Sequence, residues 1–234
     1  MTDDIAALTR QIKALPADWH GAGSLQPKVL DALARHTEGR RIECSMETGS
    51  GRTTLLLSHL SDRHLVFVRD DEAGTLRAVR ESPLLRADRT EFVIGSTQQT
   101  LLHHEFDAPL DVAFLDGPHA YPFPDLEYWA VYPHLRTGAL LVIDDIHIRT
   151  IANLYRFLRA DAMFELREVV DSTAFFTRTG APTHDPYGDD WTSQRYNRHV
   201  TYRHLSPKGA ATLAIKRALP PGLKERLRPL LHRR

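Results

Sequence analysis

Hydrophobic and polar positions along this chain fall into blocks of changing period. Residues 1–36 read as helical around a break, PADWHGAGSLQP, where Ser24 followed by Pro27 marks a second helix start. A strand-like run at 41–47 (RIECSME) precedes Gly-Ser-Gly and the helical stretch TTLLLSHL. LVFV at 65–68 is the next strand, a helix is predicted over about 72–80, and EFVI at 91–94 is a short third strand. Helical TQQTLLHHE leads to the strand DVAFL at 111–115, a helix over about 124–136, the strand ALLVI at 139–143 and a helix near 149–160. Several of these strands are continuous apolar runs, as expected of parallel strands covered on both faces. FELREVV and TAFFTRT, separated only by Asp171-Ser172, read as two strands joined by a tight turn. The predicted fold is α/β: a doubly wound, mainly parallel seven-stranded sheet of Rossmann-like type, closed by an antiparallel β-hairpin, with helices on both faces.

The same pattern divides the chain into an N-terminal helical cap segment (1–40), a sheet domain (41–180) and a C-terminal part (181–234) that joins a polar, aromatic loop or lid to a basic extension. Composition narrows the function classes. The chain is 42% hydrophobic and 26% charged, ordinary for a soluble globular protein, and its 234 residues suffice for one sizeable core. Lys+Arg and Asp+Glu both total 30, so bulk charge gives no argument for nucleic acid or a membrane surface. The single cysteine, Cys44, excludes a disulfide framework and a multi-cysteine metal site, and the expected compartment is the cytoplasm. No secretory leader and no membrane span is expected, since no apolar run approaches about 20 residues. From Lys208 onward, eight Lys/Arg stand against one acid, Glu225. That stretch is either a phosphate- or lipid-contacting tail or a solvated amphipathic helix with Leu213, Ile215, Leu219 and Leu223 turned inward.

Three stretches carry chemistry. In METGSGRTT a strand ends on Glu47 and a turn through Gly49, Ser50 and Gly51 opens a helix, which puts backbone N–H groups and a positive dipole end beside a ligand. The third glycine of a dinucleotide fingerprint would fall on Thr54, and an acid just before the turn suits a cationic amine better than a pyrophosphate. A nicotinamide dehydrogenase is disfavoured on that ground. In LVFVRDDEAG an acid ends the second strand about 20 residues on, where a ribose is held in nucleotide-binding sheets. Asp70 is the better placed acid and Asp71 its neighbour; both could instead cap the next helix. In the third stretch Asp116 ends strand four while Asp144 and Asp145 end strand five. Carboxylates meeting at adjacent strand ends repel one another unless a cation sits among them, and hard oxygen donors suit Mg²⁺. His119 is the candidate general base, with Asp116 itself as an alternative and His147 as a weaker one. Tyr121 and Trp129 could wall an acceptor pocket or simply pack, and Asp189, Asp190, Trp191 and Arg195 belong to a lid or a surface loop.

In order, ETGSG, an acid after strand two, Ile94-Gly95-Ser96 after strand three, FLDGPHAY after strand four and LRTGALLVIDD before a closing hairpin resemble a class I S-adenosylmethionine-dependent methyltransferase. Within that class the chain is similar to the small-molecule O-methyltransferase branch that includes catechol, macrolide-sugar and cephamycin-type enzymes. The resemblance spans roughly residues 20–180 and implies S-adenosyl-L-methionine as cofactor. It implies that Glu47, Gly49, Ser50 and Gly51 line the methionine part, Asp70 holds the ribose, Gly95 and Ser96 flank the adenine, and Asp116 lies at the cofactor as well as the acceptor. Metal-dependent relatives carry their ligands at the positions of Asp116, Asp144 and Asp145, for Mg²⁺ or another divalent cation. The implied partner is a small-molecule acceptor with a hydroxyl to methylate; a homo-oligomer stays open. A nucleic-acid base methyltransferase would carry an Asn/Asp-Pro-Pro-aromatic motif where DGPH stands. The competing class is a methyltransferase-like domain that binds cofactor or a partner without turnover.

Overall fold

The computed structural model describes residues 3–16, 18–19, 26–69, 74–198 and 204–220. The chain forms two compact units, Met1–Trp191 and Thr192–Arg234.

The first unit holds a seven-stranded sheet in the order β3-β2-β1-β4-β5-β7-β6. Its strands are β1 (Ile42–Thr48), β2 (Ser61–Val68), β3 (Thr90–Ile94), β4 (Leu110–Leu115), β5 (Leu135–Ile143), β6 (Phe164–Val170) and β7 (Thr173–Arg178). β1 to β5 run parallel, and β7 pairs antiparallel with both β5 and β6. This is the expected sheet, with the strand order reversing between β1 and β4. In open α/β sheets a ligand crevice forms at that reversal, at the carboxyl ends of the strands.

Burial on both faces explains the apolar runs. Along β4, Val112 and Phe114 enter one core with Leu30, Leu33, Leu55 and Leu56, while Ala113 and Leu115 enter the other with Tyr128, Val131, Leu154 and Leu158. The first core lies under α1 (Asp3–Lys13), α2 (Pro27–Thr37) and α3 (Arg52–Leu60); the second lies under α6 (Phe123–Val131) and α7 (Arg149–Ala160). A strand covered twice has no polar face to show, so period-2 alternation is lost.

Differences from the expected elements have local causes. β2 starts at Ser61, directly after α3, and its polar first half buries Ser61 and His64 while Asp62 faces out. The stretch expected as the helix TQQTLLHHE is a short α5 (Thr97–Thr100) followed by a 3₁₀ turn at Leu101–His103. The helix expected over 72–80 is α4 (Thr75–Arg80), and the break at Pro133 turns the end of the 124–136 segment into a 3₁₀ turn. α2 begins at Pro27 as expected, while Ser24 lies outside the described residues.

Residues 181–191 cluster with the sheet unit. They are irregular but tied down. Trp129 Nε1 donates to the Pro186 carbonyl at 3.0 Å, the Tyr132 hydroxyl donates to the His184 carbonyl at 3.0 Å, and buried Arg178 donates to the carbonyls of Thr179 and Ala181. In the second unit, α8 (Pro207–Ala218) is capped by Ser206, whose hydroxyl accepts from the Gly209 N–H, and Ile215 on it is 60% exposed. Leu223 and the basic residues after it lie outside the described residues. No helix among the described residues is long and apolar enough to cross a membrane.

Candidate active site

The glycine turn is built in advance of any ligand. Gly49 has φ 85°, the left-handed region that favours glycine, and its N–H donates to the Phe67 carbonyl at 2.9 Å. A Cβ there would lie 2.7 Å from the Asp116 carbonyl oxygen, so the turn touches the backbone at the end of β4. Gly51 caps α3, and the Thr54 hydroxyl accepts from its N–H at 2.9 Å. The hydroxyl oxygen of Ser50 is buried with no hydrogen-bond partner among the described residues. An orphaned buried oxygen beside a helix start is where a polar ligand atom would be received.

Glu47 is 1% exposed and turned inward: Oε2 accepts from the Thr53 hydroxyl at 2.6 Å and Oε1 faces His64 Nε2 at 3.1 Å. Gly95 donates its N–H to the Val68 carbonyl, and Ser96 stands just before α5, its hydroxyl bonded to Gln98. Asp70 and Asp71 lie outside the described residues.

The acids at the ends of β4 and β5 converge. Oxygens of Asp116 and Asp145 and a ring nitrogen of His119 all lie within 4.8 Å of one another. His119 Nε2 stands 3.7 Å from Asp116 Oδ1 and 3.4 Å from Asp145 Oδ2. Asp145 reaches this position from a left-handed backbone, φ 54°, which turns its side chain out of the strand direction. Asp144 is held differently: its Oδ1 accepts from the Thr173 hydroxyl at 2.6 Å and from the Asp145 N–H at 2.8 Å, so β7 anchors it. His147 Nδ1 lies 3.6 Å from Asp145 Oδ1 on the outer side. The Thr150 hydroxyl donates to the His119 carbonyl at 2.5 Å and fixes the loop that carries the imidazole.

Crowding sets the electrostatics. Burial in the crevice raises the Asp116 carboxyl to about 6, with Asp144 and Asp145 adding to the rise and His119 opposing it. Water still reaches 41% of the Asp116 side chain, because the crevice is open at its mouth. The adjacent Asp116 carboxylate in turn lifts the His119 imidazole above its ordinary value, against partial burial.

Sequence reasoning missed the support beneath this cluster. The Asp116 N–H donates to the Thr48 hydroxyl at 3.0 Å, which donates to Glu127 Oε2 at 2.9 Å. Glu127 is buried on the inward stripe of α6 with Pro124, Tyr128 and Val131, and its other oxygen leaves no room for a Cβ at Gly117. A lone acid at an i+3 position of an apolar stripe was the available signal.

Burial raises the Glu127 carboxyl from 4.5 to about 7. A raised carboxyl favours the folded state in its protonated form. That stability is complete below the ordinary value of 4.5 and is lost as pH climbs to about 7. Glu127→Gln, neutral at every pH, should therefore gain about 3 kcal/mol on the wild type between about pH 5 and 8. Urea unfolding across that range checks it, and parallel curves for the two proteins would refute it.

Tyr121 is 73% exposed, whereas Trp129 packs on the core beneath the 181–191 segment. Asp189, Asp190 and Trp191 lie on the exposed end of that segment, and Arg195 starts a short 3₁₀ turn in the second unit.

A family model described as a methyltransferase domain matches residues 46–146, from the end of β1 to just past Asp145. Among solved structures, the chain is similar to an O-methyltransferase from Bacillus cereus in complex with S-adenosylhomocysteine (18% identity, TM-score 0.53, 76% of this chain and 92% of that one). It is also similar to the O-methyltransferase TomG of Streptomyces achromogenes, involved in tomaymycin synthesis and solved with S-adenosylmethionine (16%, 0.52, 77% and 91%). A third is a TDP-rhamnose 3'-O-methyltransferase of calicheamicin biosynthesis (16%, 0.53, 77% and 96%). At these identities the likeness bears on the fold. No curated protein sequence matches the chain.

Proposed function

We propose that this chain is a class I S-adenosylmethionine-dependent methyltransferase that transfers the sulfonium methyl group to a hydroxyl of a small-molecule acceptor. The observation that carries the proposal is the meeting of Asp116, His119 and Asp145 at the strand ends, one backbone contact away from the glycine turn.

The cofactor fits the residues present. The turn at 49–51 offers the orphaned Ser50 hydroxyl, and the bare Gly49 lets that turn close against the end of β4. Bound there, the cofactor supplies the electrophilic methyl. A divalent cation, Mg²⁺ or another, also fits: three carboxylates converge there with only the imidazoles of His119 and, on the outer side, His147 beside them, a concentration of negative charge that a dication would relieve. Asp116 and Asp145 would hold it, with Asp144 contributing the oxygen that Thr173 does not engage. Such an ion lowers the pKa of the acceptor hydroxyl.

The chain's own residues do the rest. His119 removes the hydroxyl proton through Nδ1, the ring nitrogen not turned to the carboxylates, while Asp116 and Asp145 face Nε2, orient the ring and stabilise the charge it gains. Asp144, pinned by β7, fixes where Asp145 stands. The two loops contact each other through Gly49 and Asp116, so an acceptor held at His119 would lie next to a cofactor held at the glycine turn. A cytoplasmic location is supported by the lone, buried, unpaired Cys44.

S-adenosylhomocysteine at about 100 times its Kd should stabilise the protein by about 2.7 kcal/mol, which raises Tm by roughly 5–10 °C. Mg²⁺ should add a further shift. Absence of any shift with S-adenosylhomocysteine in a thermal melt would remove the basis of the proposal. Binding without transfer across a panel of hydroxylated acceptors would instead point to a binding domain.

A further inference from the structure

Behind the glycine turn lies a chain of polar side chains that the reaction does not use. His64 Nε2 faces Glu47 Oε1 at 3.1 Å, His64 Nδ1 faces the Ser45 hydroxyl at 2.8 Å, and Ser45 meets the Ser61 hydroxyl at 2.6 Å. Each of the four residues is at most 1% exposed. The order acid–imidazole–hydroxyl matches a nucleophile triad, but with Ser45 and His64 at 0% exposure no substrate reaches it.

Strand register explains the assembly. β1 and β2 pair Ser45 with His64, so Ser45, Glu47 and His64 project from one face of the sheet, toward α3. There Glu47 also accepts from Thr53, the second residue of α3. The carboxylate thus bridges the two ends of the turn: it belongs to the last residues of β1 and holds the first turn of α3, with Gly49–Gly51 looped between. His64 fills the other oxygen, and Ser45 and Ser61 fix which way the ring faces.

We propose that His64 is a positioning residue for the cofactor, acting through Glu47. This rests on the cofactor reading above and changes the role of one residue in it: Glu47 shapes the turn that receives the cofactor from beneath, its carboxylate engaged by Thr53 and His64. Removing the imidazole frees Glu47 Oε1 in a dry interior, and a buried carboxylate without its partner turns toward another. The turn it stapled then samples conformations that do not bind.

Isothermal titration of the full chain with S-adenosylhomocysteine tests this. His64→Leu should raise Kd about tenfold or more, while His64→Gln, which still donates to Glu47, should stay within about threefold of wild type. Ser45→Ala, which removes two bonds, and Thr53→Val, which removes one, should raise Kd about three- to tenfold with only a moderate fall in the ligand-free Tm; they carry the test alone if His64→Leu does not fold. Equal Kd in wild type and in the folded variants overturns the proposal, as does a fall in Tm with unchanged Kd, which marks a purely structural chain. Failure of the wild type itself to bind S-adenosylhomocysteine overturns the cofactor reading instead.

Discussion

Asp116→Ala lowers methyl transfer by about 10²–10⁴-fold while S-adenosylhomocysteine binding changes by less than about tenfold. The two effects separate because Asp116 faces the proposed reaction centre with its side chain and the glycine turn with its backbone. Its carbonyl meets Gly49 and its N–H meets Thr48, and neither contact depends on the carboxylate. The variant removes one partner of His119 and one ligand of the proposed cation at once. It also removes the charge that raises the His119 imidazole, so the acid limb of the residual pH–rate profile should move to lower pH. Single-turnover transfer of labelled methyl to an acceptor accepted by the wild type measures the first effect, and calorimetry the second. Transfer within tenfold of wild type would show that neither base nor cation works through this residue.

Gly49→Ala should be the most damaging small substitution in the glycine turn. An alanine at φ 85° costs about 1–2 kcal/mol in backbone strain. Its methyl carbon would also stand 2.7 Å from the Asp116 carbonyl oxygen, a backbone atom that cannot swing aside. Together these should destabilise the fold by about 3 kcal/mol, which lowers Tm by roughly 10 °C. The ends of β1 and β4 must part to admit the methyl, so cofactor binding and transfer should fall together, unlike in Asp116→Ala. Normal binding by a folded Gly49→Ala protein would show that the turn is more pliant than this packing allows.

The sheet was legible because strands buried on both faces leave continuous apolar runs, as in DVAFL and ALLVI. Where a strand buries polar groups the same logic fails. The first half of β2 carries Ser61 and His64 into the interior, where hydrogen bonds replace the apolar signal, so its start was placed four residues late. β5 likewise begins before its apolar run, at Leu135, because Arg136 reaches out to pair with Glu43 and Asp111. The acids at the strand ends were visible as types at positions, but their orientations were not. Two adjacent aspartates look alike in sequence; a left-handed residue at Asp145 and a hydroxyl on β7 send their side chains to different places. Glu127 and His64 escaped notice because each sits in a stripe or strand that otherwise reads as core.

The segment 181–191 is held in a way that bears on how freely its sequence can change. Trp129, Tyr132 and Arg178 grip it mostly by carbonyl oxygens, which every residue type supplies. Its path over α6 is therefore indifferent to most of its own sequence. Tyr187 meets Trp129 edge-on, with ring centroids 5.8 Å apart, but it is 87% exposed, and its replacement leaves the carbonyl contacts in place. A library randomised at 187–191 should keep its fold far more often than one randomised over as many residues of α6.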